Sequence, residues 1–198
     1  MPNNYIPQGS KRLLAVPIRP AAPADIPEIQ AIYAYHVLHG TGTFDAVPPA
    51  VEEMEARFEA ALRRGWPWLV ATDATGVLGY AYYTQYRDRS AYAFCAEDSI
   101  YVREDVRGQG VGKALVAEVL AAAEAAGFRQ MIAVIGDAEN VASIGVHASL
   151  GFRRAGVLRA AGLKFGRWLD VVLMQRAVGK GDQDIPQLPA QDASPRNP

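Results

Sequence analysis

Residues 102–113 read VREDVRGQGVGK, with glycines at 108, 110 and 112, set between a strand-like run, CAEDSIYV, and a long helical pattern. A strand that turns so abruptly into a helix restricts the chain to folds in which a helix begins beside the end of a sheet strand. Glycine gives up more conformational freedom on folding than any other residue, so three in five positions imply left-handed turns or a close backbone approach. Taken alone, the stretch fits a tight strand-to-helix turn. It fits equally a cradle in which free N–H groups at a helix N-terminus receive a phosphate.

Templates narrow the second possibility. The Walker pattern G-x-x-x-x-G-K-[ST] requires glycine at Arg107 and a hydroxyl at Ala114, and the dinucleotide pattern G-x-G-x-x-G requires glycine at Lys113. Both fail. The arrangement [QR]-x-x-G-x-[GA] is met by Arg107, Gly110 and Gly112.

The rest of the hydrophobic pattern supplies the surrounding elements. AVPIRPA reads as a short strand, and Asp25 as the N-cap of a helix carrying Ile26, Ile29, Ile32 and Tyr33 to about His39. Glu52–Arg64 repeats the helical period and stops at Gly65. PWLVAT, VLGYAYYTQY and AYAFCAEDSIYV read as strands, the first two joined across the hairpin-type turn DATG. After the glycine loop come a helix ending at Gly127, a buried strand FRQMIAVI, a short helix stopped by Gly151, and strands FRRAGVLRAA and WLDVVLMQRA. The order β-α-α-β-β-β-α-β-α-β-β predicts an α+β domain, a mixed, mostly antiparallel central sheet flanked by helices.

Composition bounds the function. With 198 residues, half of them apolar, the chain suits one domain, expected over 15–178 between a flexible N-terminal tail, 1–14, and a disordered, proline-rich tail, 179–198. Twenty basic residues balance 21 acidic ones, so no bulk charge points to nucleic acid or an anionic membrane. The single cysteine, Cys95, excludes an internal disulfide and fits a reducing cytoplasm, where the protein is expected. No apolar run approaches a membrane span. His36 and His39 lie three apart with no acid or cysteine pair nearby, so no metal site is expected.

The glycine loop, SIYV before it and the later N..SI..H..LGF together resemble the Gcn5-related N-acetyltransferase (GNAT) superfamily, over the whole expected domain. That resemblance implies the GNAT fold and acetyl-CoA as co-substrate, with its pyrophosphate at Arg107, Gly108, Gln109, Gly110, Val111 and Gly112. YRDRSAYAFCAEDSIYV is similar to the R-x-R-x-A-Y-x-x-T-x-E-x-S-x-Y-V signature of phosphinothricin and methionine sulfoximine acetyltransferases, and IRPA, PWLVA, AVIG and LRAAGLKFGRWLDVVLMQ extend the likeness. Two departures stand out: Cys95 replaces the signature's threonine, and IGDAEN carries one residue more than the family's spacing before Asn140.

The resemblance implies roles residue by residue, each beside a plainer one. Acetyl transfer needs a free amine, hence a general base. Glu97 is the candidate, or else a surface glutamate on a strand. Ile100, Tyr101 and Val102 would pair through their backbone with the pantetheine arm, an N–H facing the thioester oxygen. His147 would protonate the departing thiol, or is a packed helix histidine. Asn140 would hold the cofactor backbone, or is an N-cap. Arg87 and Arg89 suit a carboxylate or phosphinate, or are an exposed loop pair. Phe44 and Tyr92 would wall the substrate, or belong to the core; Asp98 and Ser99 would contact substrate or support the site. The segment Lys164–Asp170 would close the far side of the pocket, near a homodimer interface by family likeness.

The expected activity is therefore acetylation of the α-amine of a small amino-acid analogue such as phosphinothricin, methionine sulfoximine or methionine sulfone. Attack is direct, because nothing local activates Cys95 as an acyl carrier. The competing expectations are acetylation of another amine (a polyamine, an aminoglycoside or a protein N-terminus) and a catalytically silent acyl-CoA-binding module.

Overall fold

In the computed structural model, which describes residues 16–187, the elements follow the order read from the sequence. They are β1 (Ile18–Pro20), α1 (Ile26–His39), α2 (Val51–Arg63), β2 (Trp68–Asp73), β3 (Gly76–Gln85), β4 (Cys95–Val102), α3 (Val111–Ala125), β5 (Gln130–Gly136), α4 (Val141–Ser149), β6 (Arg153–Lys164) and β7 (Arg167–Ala177). The expected N-terminal tail, 1–14, lies outside the described residues. Of the expected C-terminal tail, residues 179–187 are described, and Asp184 there meets Arg129 at 2.8 Å.

One sheet contains all seven strands in the order β1-β2-β3-β4-β5-β7-β6, and every neighbouring pair is antiparallel except β4–β5. Side chains alternate across it, so Trp68 and Val70 enter one core and Leu69 and Ala71 the other. On one face Ile26, Ile29, Tyr33 and Val37 of α1, with Met54 and Phe58 of α2, pack on Trp68, Val70, Val77 and Tyr80. On the other, Leu115, Val116 and Val119 of α3 pack against Leu78, Ala81, Ala96 and Met131.

Two local readings differ from expectation. Asp25 makes no side-chain cap to α1; its carboxylate takes two bonds from Arg19 (2.7 and 2.8 Å) and one from the Ala22 N–H (2.7 Å). The carboxylate thus closes a short 3-10 turn over Pro23–Asp25, and α1 starts at Ile26 with Asp25 in the N-cap position as expected. The run AYAFCAEDSIYV is a strand only from Cys95, because Ser90–Tyr92 form a 3-10 turn and the Phe94 carbonyl is taken by the N–H groups of Arg129 and Gln130.

Candidate active site

The parallel pair β4–β5 runs from Cys95 opposite Gln130 to Asp98 opposite Ala133 and stops. β4 continues along β3 until Val102 faces Gly79, and β5 continues along β7 until Gly136 faces Val171. The two strands therefore splay, leaving Ser99–Val102 without a paired strand on one side among the described residues. The Arg103 N–H bonds the Leu78 carbonyl and the Tyr86 N–H the Cys95 carbonyl, so odd-numbered residues of β4 direct their backbone to β3. The N–H and C=O groups of Ile100 and Val102 face the open edge, whereas those of Tyr101 are spent on β3. This narrows the expected backbone trio to two residues.

The glycine loop meets that edge. Gly108 and Gly110 have φ of 74° and 90°, left-handed values that a side chain resists. The first bond of α3 runs from Ala114 N to Gly110 O, so the N–H groups of Val111, Gly112 and Lys113 have no intrahelical partner. Gly112 sits so close to β4 that an added Cβ would touch Ile100 at 3.4 Å and Val102 at 3.5 Å. The Val111 side chain is buried, which leaves its backbone as the outward group. Arg107 is exposed, its guanidinium 5.7 Å from the Tyr35 ring centroid, and Gln109 bonds the Asp105 carbonyl. Free amides at a positive helix end beside an unpaired strand edge fit a pyrophosphate followed by an amide-bearing arm, which is the chemistry of acetyl-CoA.

Register between β3 and β4 is unbroken from Gln85–Ala96 to Gly79–Val102, so adjacent residues of β4 look to opposite faces. Glu97, Ser99 and Tyr101 share the α1 face. Tyr101 is edge-on to Tyr33 (4.9 Å) and stacked on Tyr80 (5.3 Å). Glu97 is half-buried, and no hydrogen bond holds its carboxylate among the described residues. Burial first, and the neighbouring Asp98 charge second, push its pKa above the ordinary carboxylate range, with Arg87 pulling the other way.

Asp98 is turned to the opposite face, as alternation along the strand predicts, and of the two roles expected for it this favours support of the site over substrate contact. It is buried and meets His147 at 2.9 Å, Oδ2 to Nε2, each side chain 2 % exposed. His147 Nδ1 lies 2.8 Å from the Ser143 carbonyl. Burial lowers the basicity of His147, but the Asp98 hydrogen bond and charge outweigh it and the pKa is raised. A general acid needs an N–H aimed at the open edge, and both ring nitrogens are directed elsewhere.

The remaining candidates are dispersed. Asn140 is the N-cap of α4, its Oδ1 accepting from Ser143 N at 3.2 Å, and its amide NH2 has no partner among the described residues. Arg87 and Arg89 are exposed in the loop after β3, Arg87 lying over Tyr86 (4.8 Å), and Tyr92 packs edge-on to the same ring (5.7 Å). Phe44 rides on Gly162 and Gly136, where an added Cβ at Gly162 would collide with the ring.

Sequence reasoning missed what fixes the Phe44 loop. Lys164, buried on β6, donates to the carbonyls of Gly40 (2.9 Å) and Thr43 (2.7 Å), while the Tyr33 hydroxyl meets Thr43 Oγ1 and Asp45 Oδ2, both at 2.8 Å. Only the smallness of Gly162 and the placement of Lys164 signal this in the chain. Likewise missed, His36 on α1 reaches the Val102 carbonyl at 3.0 Å.

Residues 34–152 match the Acetyltransferase (GNAT) family. The chain is 50% identical over 173 residues to the phosphinothricin N-acetyltransferase of Alcaligenes faecalis, covering 87% of this chain and 88% of that one. It is 42% identical over 163 residues to the L-methionine sulfoximine/L-methionine sulfone acetyltransferase of Pseudomonas aeruginosa, covering 82% and 94%. Among solved structures, a GNAT superfamily phosphinothricin acetyltransferase from Sinorhizobium meliloti in complex with AcCoA superposes with a TM-score of 0.86 at 43% identity, covering 91% of this chain and 98% of that one.

Proposed function

Because the chain belongs to the GNAT acetyltransferase family, we propose that it acetylates the α-amine of a small amino-acid analogue of the phosphinothricin or methionine sulfoximine type. The observation that carries the reading is Glu97, a desolvated carboxylate with no hydrogen-bond partner among the described residues, in the strand that ends at the open edge and the glycine loop.

Acetyl-CoA supplies the acetyl thioester. Its pyrophosphate is assigned to the amides of Val111, Gly112 and Lys113, with Arg107, Gly108, Gln109 and Gly110 around it, and its arm to Ile100 and Val102. The Asn140 amide is the further donor on that path. Glu97, its basicity raised by burial, takes a proton from the substrate ammonium through water and frees the lone pair that attacks. An N–H of the open edge, that of Ile100, faces the charge developing on the acyl oxygen. The leaving thiol, with a reference pKa of about 8.5, needs little acid help. We therefore give His147 a positioning role, holding α4 against β4 through Asp98.

Cys95 is half-buried, and burial and the Glu97 charge push its thiol pKa up, which opposes an acyl-enzyme and supports direct attack in a ternary complex. Arg87 and Arg89 remain the candidate anchors for the substrate's acidic groups, and Phe44, Tyr92 and Ser99 its walls. Among the described residues no group of three or more His, Cys, Asp or Glu could hold a metal ion, and no helix is long and apolar enough to cross a membrane. We place the protein in the cytoplasm, with no nucleic-acid partner.

A homodimer completes the proposal. Leu158, Leu163, Phe165 and Trp168 are 51 to 66 % exposed on the β6–β7 hairpin, Leu163 facing Trp168 across the ladder, and β6 ends the sheet. An apolar surface beside an uncovered edge strand favours a second copy as its cover.

The activity test measures free-thiol release from acetyl-CoA across a panel of amines. Release with methionine sulfoximine or phosphinothricin supports the reading. Release confined to polyamines, aminoglycosides or peptide N-termini reassigns the substrate, and acetyl-CoA binding without release for any amine leaves a binding module.

A further inference from the structure

The α1 helix ends against the open edge of β4, and its last turn reaches that edge through the His36 side chain. His36 Nε2 lies 3.0 Å from the Val102 carbonyl, which is directed away from β3 into the gap left by β5. A carbonyl can only accept, so Nε2 carries the proton and donates. Burial, reinforced by the charges of Arg107 and Lys164, lowers the basicity of the ring despite this bond, so the donor is a neutral imidazole.

The residue is fixed in two other ways. Its ring stands edge-on to Tyr101 at 5.3 Å, and its main-chain carbonyl accepts the Gly40 N–H that closes the helix. The neighbouring Tyr35 carries the Arg107 guanidinium over its face. One helical turn thus holds both the end of the open edge and the first side chain of the glycine loop.

We infer that His36 is a positioning residue, which sets the Val102 end of the open edge so that the strand and the α3 amides present one continuous surface to acyl-CoA. Without the bond, the Val102 carbonyl has no partner among the described residues and only side-chain packing and the flanking residues hold this end of the strand, so binding must order the carbonyl. The inference rests on the proposed acyl-CoA site and adds to it a residue that touches neither the acetyl group nor the amine.

The test is calorimetric titration of desulfo-CoA and CoA into wild type, His36→Phe and His36→Gln, with no turnover involved. Phenylalanine keeps a ring against Tyr101 but cannot donate, whereas glutamine restores an N–H donor. Loss of one neutral hydrogen bond predicts Kd for CoA about three- to tenfold higher in His36→Phe, with recovery toward wild type in His36→Gln. Steady-state kinetics should show the same rise in KM for acetyl-CoA, with kcat and the amine KM within twofold. Thermal melts exclude a variant that does not fold, and His36→Leu, which likewise cannot donate, then takes the place of His36→Phe beside His36→Gln. Unchanged or tighter CoA binding in His36→Phe, or equal changes in kcat and both KM values, overturns the inference. Failure of wild type itself to bind CoA overturns instead the acyl-CoA site on which it rests.

Discussion

Asp98 and His147 meet at 2.9 Å across the face of β4 opposite to that of Glu97, both side chains 2 % exposed and 49 residues apart in the chain. One carboxylate of the adjacent pair is thus bound in an internal contact, while the other is left without a hydrogen-bond partner among the described residues. The unbroken register of β4 on β3 produces this division.

Breaking that buried pair should destabilise the fold rather than abolish the chemistry. Asp98→Asn is expected to lower stability by about 3 kcal/mol. His147 is raised in the folded state, so the stabilisation is complete below its unfolded value of about 6.5 and fades as pH climbs through the folded value. Thermal melts should show the wild-type advantage largest near pH 6 and shrinking above it.

Burial and the Asp98 charge hold Glu97 above the usual carboxylate range, and the base must be ionised to act. The acid limb of kcat/KM should therefore fall at a pH above the reference of about 4.3. Activity is lost as pH drops through that limb. Profiles of wild type and Glu97→Gln check this, since the limb should be absent from the residual rate of the variant.

Gly110 has φ of 90° at the head of α3, a conformation that a β-branched residue resists. Gly110→Val should raise KM for acetyl-CoA by roughly tenfold, about 1.4 kcal/mol, and change the amine KM by less than twofold. Initial-rate kinetics with each substrate varied in turn separate the two.

A side chain at Gly162 would displace Phe44 from its seat. Gly162→Ala should raise the amine KM several-fold, leaving CoA affinity unaltered, because Phe44 is proposed as a wall of the substrate site and not as part of the α3 amide cradle. Titration of CoA beside amine kinetics tests the split.

Trp168 is 66 % exposed on the hairpin proposed to face a second copy. Trp168→Glu should convert a dimer to a monomer in sedimentation velocity, with the melting temperature of the protomer little changed. A wild type that sediments as a monomer at all concentrations contradicts the homodimer.

What was legible in the chain was local. The glycine loop and its helix lie within 24 residues of sequence that announce themselves, and alternation along CAEDSIYV already separates Glu97 from Asp98. Asn140 was likewise open to reading as an N-cap. The partners were not legible, because they come from distant segments brought together by packing. His147 finds Asp98, Lys164 finds the Gly40 and Thr43 carbonyls, and His36 finds Val102 only after the sheet has formed. Asp25 shows the opposite failing: its type suits a helix cap, yet Arg19 and Ala22 claim the carboxylate first.

The role proposed for Glu97 is that of the base for acetyl transfer at the open edge of β4. It is tested most directly by turnover of methionine sulfoximine or phosphinothricin by Glu97→Gln at saturating acetyl-CoA, with CoA affinity measured on the same sample. Loss of the base should lower kcat by about 10²- to 10³-fold with CoA binding within twofold of wild type. A variant that turns over at the wild-type rate would contradict it.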